Sequence, residues 1–456
     1  MACRDGHRLR LLLIMPDGRI HKLKLGPIDM SFREAPLTLT TLAGLVPENL
    51  DAEISIVDRS VGQRIPYGED FDLVGISLLT GTATEGYEIA DTFRERGTAV
   101  VLGGIHVTLM PDEAAGHADA IVTGFAEQTW PRLLRDFTEN RMEKRYDSRT
   151  TDISGIPPPR RDLQKSLGYL MPNAVFVTRG CKGDCDFCSV PAAAFGWSKR
   201  PIGAVIEEVR NLKSKYFAIT DVHLTADAAY AKELFSALIP LKKRWGGLAS
   251  TRVVDDPELM ELMRRSGCSY LLLGFETFNA ASLHKMGKAF NRVNHYKHVV
   301  DVLHDNRITV QGCFIFGLDE DDTGVFEQTV DCVNELKIDI PRYALYTPYP
   351  RTRLFDRLQA ENRLLHEDWF YYDTQHVVIR PAQMTPGRLD EGFKWAYKKT
   401  FAVASNLERS LASGGPLVVT FLGNLAYKLY VTRLFADTNR FPREVLAAGQ
   451  HEKMVS

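Results

Sequence analysis

The sequence lacks most of the features that mark a specialised class of protein. It has only seven cysteines in 456 residues, an odd and sparse number, and no secretory apolar region follows its polar opening MACRDGHR. A disulfide framework is therefore not expected, and the reducing cytoplasm is. It has no surplus of charge, since 56 Lys and Arg face 58 Asp and Glu for a net −2. No global field attracts a phosphate backbone, so nucleic acid is not an expected partner. It has no clean membrane span either. The most apolar late stretch, Pro416 to Ala436, is broken by Gly423, Asn424, Lys428 and Arg433, too many polar groups for a hydrocarbon core. Solenoid repeats and low-complexity tracts are missing. What remains is 45% hydrophobic and 25% charged, the balance of a globular protein of about three domains at roughly 150 residues each.

Two series of apolar runs alternating with helical patterns fill most of the chain. Residues 9–140 carry LRLLLIM, EISIVD, DLVGIS, AVVLGG and DAIVTG with helices between them, the grammar of a doubly wound α/β domain. Its strands end at Pro16, Ser77, Gly103 and Gly124, where open α/β sheets bind ligands. Residues 141–172, charged and containing Pro157, Pro158 and Pro159, predict a linker. Residues 173–350 hold six strand and helix units beginning at NAVFVT, which imply a parallel, barrel-like sheet with chemistry at its carboxyl ends. Residues 351–456 read as mostly helical.

Three of the seven cysteines, Cys181, Cys185 and Cys188, fall in TRGCKGDCDFC directly after the first strand of the second series. Thiolates bind soft metal centres, and three on one short loop suit three irons of a 4Fe-4S cluster, leaving the fourth for an exogenous ligand. A zinc loop is the alternative. Closed structural zinc sites take four ligands, and no Cys or His lies between Cys188 and His223.

In this setting the CxxxCxxC loop, with Phe187 just before its last cysteine, resembles the radical S-adenosylmethionine superfamily. The resemblance implies a partial (β/α)6 barrel, a 4Fe-4S cluster on the three cysteines, S-adenosylmethionine on the open iron and Phe187 beside its adenine. It also implies an electron donor such as flavodoxin or ferredoxin, and cleavage of the cosubstrate to a 5′-deoxyadenosyl radical. Gly274 and Glu276 end the fourth strand in LLLGFET, where family members contact the cosubstrate, and a carboxylate there accepts from ribose hydroxyls; the plainer role for Glu276 is capping. Asp221 and Arg252 end the second and third strands, where contact with the cosubstrate stands against ordinary ion pairing. Cys3, Cys268, Cys313 and Cys332 show no second cluster spacing.

The first series resembles the cobalamin-binding domain found upstream of many radical S-adenosylmethionine enzymes, through ISLLT, GGIHVT and TGFAE. It is a Rossmann-like domain, yet the G-x-G-x-x-G of a plain dinucleotide site is missing after strand one. By that resemblance Ser77 and Thr80 offer hydroxyls to cobalamin, and Gly103 and Gly104 leave room for its tail. The D-x-H-x-x-G signature that supplies a cobalt-ligating histidine is absent, which leaves His21 and His106 as substitutes, although loop histidines are more often simply solvated.

IPRYALYTPYPRTRLFDRL and EDWFYYDTQHVVIRP resemble the end of the catalytic domain in the branch that includes hopanoid methylases and the anaerobic porphyrin ring cyclase. Tyr343, Tyr346 and Tyr349 stand there either as substrate-pocket walls or as core. The segment from Arg409 to Arg443 has five basic side chains against Asp437. It suggests either a membrane-surface helix or, the reading favoured here, a docked terminal helix with a solvated basic face. The resemblance implies a cobalamin-dependent methyltransferase acting on an unactivated carbon of a small-molecule or lipid-like substrate. Cyclisation or rearrangement with the same cofactors is the enzymatic alternative, and a non-catalytic zinc and corrinoid carrier is the rival from another class.

Overall fold

The computed structural model describes residues 8–18, 22–25, 28–148, 152–165, 167–415 and 417–434. The chain divides into two compact units. Residues up to Cys181 together with Ser189–Pro201 form the first, and Lys182–Cys188 together with the chain from Ile202 onward form the second.

LRLLLIM has no polar residue to turn toward water except Arg10, which suits a strand covered on both faces. The first strand, β1 (Leu9–Met15), is accordingly interior to its sheet, and Leu11, Leu12, Leu13 and Ile14 are all fully buried. It pairs in parallel with β2 (Ala52–Asp58) on one side and β3 (Leu73–Ser77) on the other. Beyond β3 come β4 (Ala99–Gly103), β5 (Ala120–Thr123) and β6 (Arg145–Asp147), giving the order β2-β1-β3-β4-β5-β6. The order reverses between β1 and β3, and in open parallel sheets ligands bind in the crevice outside the strand ends at such a point. Helices α1 (Thr38–Gly44), α2 (Ala83–Glu95) and α3 (Ala126–Thr138) connect the strands. On α2 the buried residues Gly86, Tyr87, Ile89, Ala90 and Phe93 recur at helical spacing, so one stripe faces the sheet.

The stretch read as a linker, residues 141–172, is partly built into this unit. β6 extends the main sheet, and Tyr169–Met171 pairs with the strand Ile28–Glu34. Single aromatic anchors explain both. Tyr146 is fully buried and donates to Asp136 Oδ2 at 3.0 Å, and the Tyr169 hydroxyl donates to the buried Asp58.

In the second unit β7 (Tyr216–Ile219), β8 (Arg244–Ala249), β9 (Cys268–Glu276), β10 (Thr309–Phe316) and β11 (Ile340–Leu345) lie side by side in chain order, all parallel. The opening strand of that series is realised as Ala174–Val175, which belongs to the first unit. Helices α4 (Ile202–Asn211), α5 (Ala228–Leu238), α6 (Pro257–Arg265), α7 (Tyr296–Asp305) and α8 (Val325–Glu335) complete the sequential βα pattern of a partial barrel. Their starts are encoded locally. Asp227 accepts from Tyr230 N at 3.0 Å and Asp256 from Leu259 N at 3.1 Å, with Pro257 at the first helical position. After β11 come α9 (Arg353–Ala360), α10 (Pro386–Thr400), α11 (Val403–Ala412) and α12 (Leu417–Leu434), which belong to the same unit. Tyr343 of β11 is core rather than a pocket wall: it is fully buried, and its hydroxyl lies 2.7 Å from Thr400 Oγ1 of α10.

Candidate active site

The cysteine loop begins at the end of a two-stranded antiparallel ribbon, Thr178–Gly180 against Trp197–Lys199. Cys181 belongs to the first unit, and Cys185 and Cys188 to the second. All three are half-buried, reduced thiols, with Cys188 N donating to Cys185 O at 3.3 Å. Cys268 differs in kind: it is buried, and burial pushes its thiol up to about 12, which makes it an inert core residue. The Cys313 thiol is also pushed up by burial, to about 11, although its surface is half-buried like those of the three. Accessible soft donors closely spaced on one loop are the donor set that an iron-sulfur cluster needs. Among the described residues no three Cys, His, Asp or Glu are already gathered as a metal-holding group, so the assignment rests on spacing and thiol chemistry.

Within the second unit the loop is fastened from below. The short helix Ala280–Lys285 starts at Asn279, which accepts from Ala281 N at 2.9 Å, and stops at Gly287 in the left-handed region at φ 76°. A Cβ on Gly287 would stand 2.8 Å from Asp184 O, so only glycine lets the chain pass this close under the loop. Asp186 N donates to Met286 O at 3.3 Å and Leu354 N to Asp186 O at 3.1 Å. Tyr346 donates to the Asp186 carboxylate at 3.1 Å, and Arg353 pairs with Asp184 at 2.8 Å. Burial holds the Asp186 carboxyl above its ordinary range, although Tyr346 and nearby arginines oppose it. Tyr346 is thus a strut of the loop, and its ring meets Phe187 edge-on at 6.2 Å.

The turn at Gly287 delivers Lys288, a residue the sequence reading missed. Its Nζ pairs with Glu276 Oε1 and lies 5.9 Å from the centre of the Phe187 ring. Burial works against its charge, but the Glu276 carboxylate, helped by the Cys185 and Cys188 sulfurs when ionised, outweighs burial and raises the Lys288 pKa. Glu276 is itself buried, and its φ of 69° is unusual for a residue with a side chain. The register of β9 on β10 slips between Gly274 and Glu276, and a bulge of this kind re-aims the side chain at a strand end. Asn291 Nδ2 donates to Gly274 O at 2.8 Å, Tyr296 donates to Phe275 O at 2.7 Å, and Thr251 donates to Asn291 Oδ1 at 2.6 Å. A Cβ on Gly274 would run into Glu276 and Lys288, so this glycine makes space for the pair.

The weaker candidates separate. Asp221 is buried just beyond β7. Arg252 is exposed, with Asp255 at 4.0 Å. Burial, and then the charges of Lys288, Arg252 and Lys182, hold His223 below the ordinary histidine value. His223 is thus a second residue near this edge that the sequence did not single out.

In the first unit Ser77 and Gly103 are register partners at the ends of β3 and β4. Thr80 is buried, its Oγ1 3.3 Å from His106 Nδ1. The other ring nitrogen of His106 lies 3.2 Å from Glu113 Oε1, which also accepts from Tyr87 at 2.8 Å. His106 is fully buried with both nitrogens engaged, so it is a structural residue and not a substitute cobalt ligand. His21 lies outside the described residues. Gly104 also changes its role. Its φ is 102°, and a Cβ there would stand 2.6 Å from Leu78 O and 2.8 Å from Leu78 N, so the packing of this unit's own backbone demands glycine. Gly103 has space around it, with its nearest contact at 3.6 Å.

The model of the radical SAM superfamily matches residues 175–333, and that of the B12 binding domain matches residues 34–134. Bacteriochlorophyllide d C-12(1)-methyltransferase of Chlorobaculum tepidum is 29% identical over 450 residues, covering 95% of this chain and 96% of the relative. Bacteriochlorophyllide d C-8(2)-methyltransferase of the same organism is 28% identical, covering 87% and 91%. The radical S-adenosylmethionine methyltransferase TsrM from Kitasatospora setae, solved with cobalamin and a 4Fe-4S cluster, has a similar fold, with a TM-score of 0.61 at 17% identity over 78% of each chain. The chain thus carries a B12-binding domain followed by a radical S-adenosylmethionine domain, in the same order as its two units, the arrangement of the cobalamin-dependent radical S-adenosylmethionine enzymes.

Proposed function

We propose that this enzyme is a C-methyltransferase that alkylates an unactivated carbon on a tetrapyrrole of the bacteriochlorophyllide class. The observation that carries the reading is the buried Lys288–Glu276 pair at the end of β9, next to Cys185, Cys188 and Phe187. Similarity at 29% and 28% identity along most of the chain to two bacteriochlorophyllide methyltransferases supports the substrate class.

The chain's residues divide the work as follows. Cys181, Cys185 and Cys188 hold the cluster, and Phe187 offers a ring face to the adenine of S-adenosylmethionine. Glu276 accepts hydrogen bonds from its ribose, while Lys288 presents a fixed positive charge to its carboxylate, the strongest class of hydrogen bond available there. Asp221 and Arg252 flank the same strand edge. Ser77, Thr80, Gly103 and Gly104 form the cobalamin edge of the first unit, with Thr80 fixed by His106 and Gly104 shaping the loop. Bound at these places, the cluster supplies the electron that cleaves S-adenosylmethionine, and the corrinoid supplies a transferable methyl group. The protein's contribution is orientation and exclusion of water and oxygen. A small reduced electron carrier of the flavodoxin or ferredoxin kind completes the cycle.

The test is anaerobic turnover of reconstituted enzyme with a bacteriochlorophyllide, S-adenosylmethionine, cobalamin and a strong reductant. A product heavier by one methylene unit is expected. Formation of 5′-deoxyadenosine with a tetrapyrrole product of unchanged carbon count would replace methylation by cyclisation or rearrangement.

A further inference from the structure

The last two helices are apolar on the wrong side. In α11 the buried positions are Arg409 and Ser410, while Val403, Leu407 and Leu411 face water, Leu411 with 71% of its surface exposed. In α12 the inner stripe is Thr420, Asn424, Tyr427, Tyr430 and Val431, and the outer face carries Leu417, Val418, Phe421, Leu422, Leu425 and Leu429. Ten of the seventeen exposed large apolar side chains among the described residues fall between Val403 and Leu429. The sequence reading favoured a docked terminal helix with a solvated basic face: α12 does dock, but Arg409 turns inward and the described outer face is apolar, while Arg440 and Arg443 lie outside the described residues. Inward polarity explains the reversal. Arg409 donates to Asn334 Oδ1 and Asn406 Oδ1 at 2.9 Å, and Asn424 donates to Asp339 O at 2.9 Å, so these two side chains make their hydrogen bonds on the inner side.

A contiguous apolar surface of this kind marks an interaction site, and the chemistry around it selects the partner. Among the described side chains from Trp395 to Leu434, the cations outside the core are Lys398, Lys399 and Lys428, against Glu408 alone. Trp395, Lys398 and Lys399 are exposed together on the last turns of α10, the pairing of indole and cation found at a membrane–water boundary. A second copy docked on this face would bring like charges together, because a two-fold interface meets itself. The segment does not cross a bilayer. Among the described residues no helix is long and apolar enough to do so, and Asn424 fastens α12 to β11's amino-terminal approach at Asp339.

We propose that the outer face of α11 and α12 docks this enzyme onto an anionic lipid bilayer, with Leu417, Val418, Phe421, Leu422 and Leu425 entering the interface and Lys398, Lys399 and Lys428 meeting headgroups. The inference stands independently of the methyl-transfer reading.

The test is cosedimentation of the full chain with vesicles of phosphatidylcholine alone and of phosphatidylcholine with phosphatidylglycerol. Binding to the anionic vesicles is expected, weakening at high salt and falling at least about tenfold in Phe421→Glu/Leu425→Glu. Both positions are exposed, so the variant should melt with the wild type. Brominated lipid should quench tryptophan fluorescence in wild type and quench it less in Trp395→Phe. Failure to bind either vesicle, or undiminished binding by the double variant, would overturn the proposal. So would a dimer in solution that Phe421→Glu/Leu425→Glu dissociates while vesicle binding stays absent.

Discussion

Lys288 holds its Nζ 5.9 Å from the centre of the Phe187 ring while pairing with Glu276. One buried cation thereby touches the cysteine loop and the end of β9 at once. Removing it leaves a buried carboxylate with a strained backbone and no counter-charge.

Lys288→Met should therefore lower stability by about 3–5 kcal/mol, the usual cost of breaking a buried pair from one side. Lys288→Met/Glu276→Gln should recover most of that loss in thermal melts. Both variants should keep their iron and bind S-adenosylmethionine at least about tenfold more weakly by titration. Tight cosubstrate binding in the double variant would remove the pair from the site.

The cysteines are expected to split by environment. Cys181→Ala, Cys185→Ala and Cys188→Ala should each lose iron and reductive cleavage of S-adenosylmethionine. Cys268→Ala should retain both, because that thiol is buried with its pKa near 12. A normal iron content in Cys185→Ala protein would sink the cluster assignment.

For cobalt the geometry gives a negative spectroscopic expectation. His106 has Thr80 on one ring nitrogen and Glu113 on the other. Bound cob(II)alamin should thus show no nitrogen splitting from His106, and His106→Ala should leave the spectrum unchanged while lowering the melting temperature. Splitting that vanishes in His106→Ala would reverse the structural role given to this histidine.

Asp321 supplies a pH dependence. Its Oδ2 accepts from Gly317 N at 2.9 Å and Leu318 N at 3.0 Å, and burial pushes its carboxyl up to about 7 from an ordinary 3.8. The native state therefore holds a proton that the unfolded chain releases, so this group's contribution is complete below pH 3.8 and is lost as pH rises through 7. Asp321→Asn, which keeps an acceptor without the charge, should flatten that slope and raise the melting temperature at pH 8 relative to wild type. An unchanged slope between pH 4 and 7 would show that Asp321 is ionised in the fold.

The sequence made legible whatever rests on periodicity or close spacing. LRLLLIM reads as an interior strand because seven consecutive residues carry one polar side chain, and the three cysteines declare themselves within eight residues. Lys288 was invisible, because it reaches Glu276 through a bulge and a glycine-ended helix that no local pattern encodes. Tyr146 and Tyr169 hid in charged sequence, since strands of three residues show no period. Gly104 was noticed for a different reason from the one the structure gives: a glycine in sequence does not say which atom approaches it.

That difference can be measured at adjacent positions. Gly103 and Gly104 would both admit ligand if their purpose were space for a cofactor, and alanine at either would then act mainly on cobalamin binding. The geometry separates them, because a Cβ at 104 meets Leu78 backbone at 2.6 Å with φ at 102°, whereas a Cβ at 103 meets nothing nearer than 3.6 Å. Gly104→Ala should cost about 1–3 kcal/mol of stability through backbone strain, and cobalamin affinity should fall with the loss of the folded unit. Gly103→Ala should melt with the wild type, so any weakening of cobalamin binding in it reports crowding at the strand end directly. Circular dichroism melts of the apoprotein, run beside cobalamin titrations, distinguish the two. If Gly104→Ala melts like wild type, the close approach to Leu78 does not constrain this loop, and space for the ligand becomes the reason for glycine at both positions.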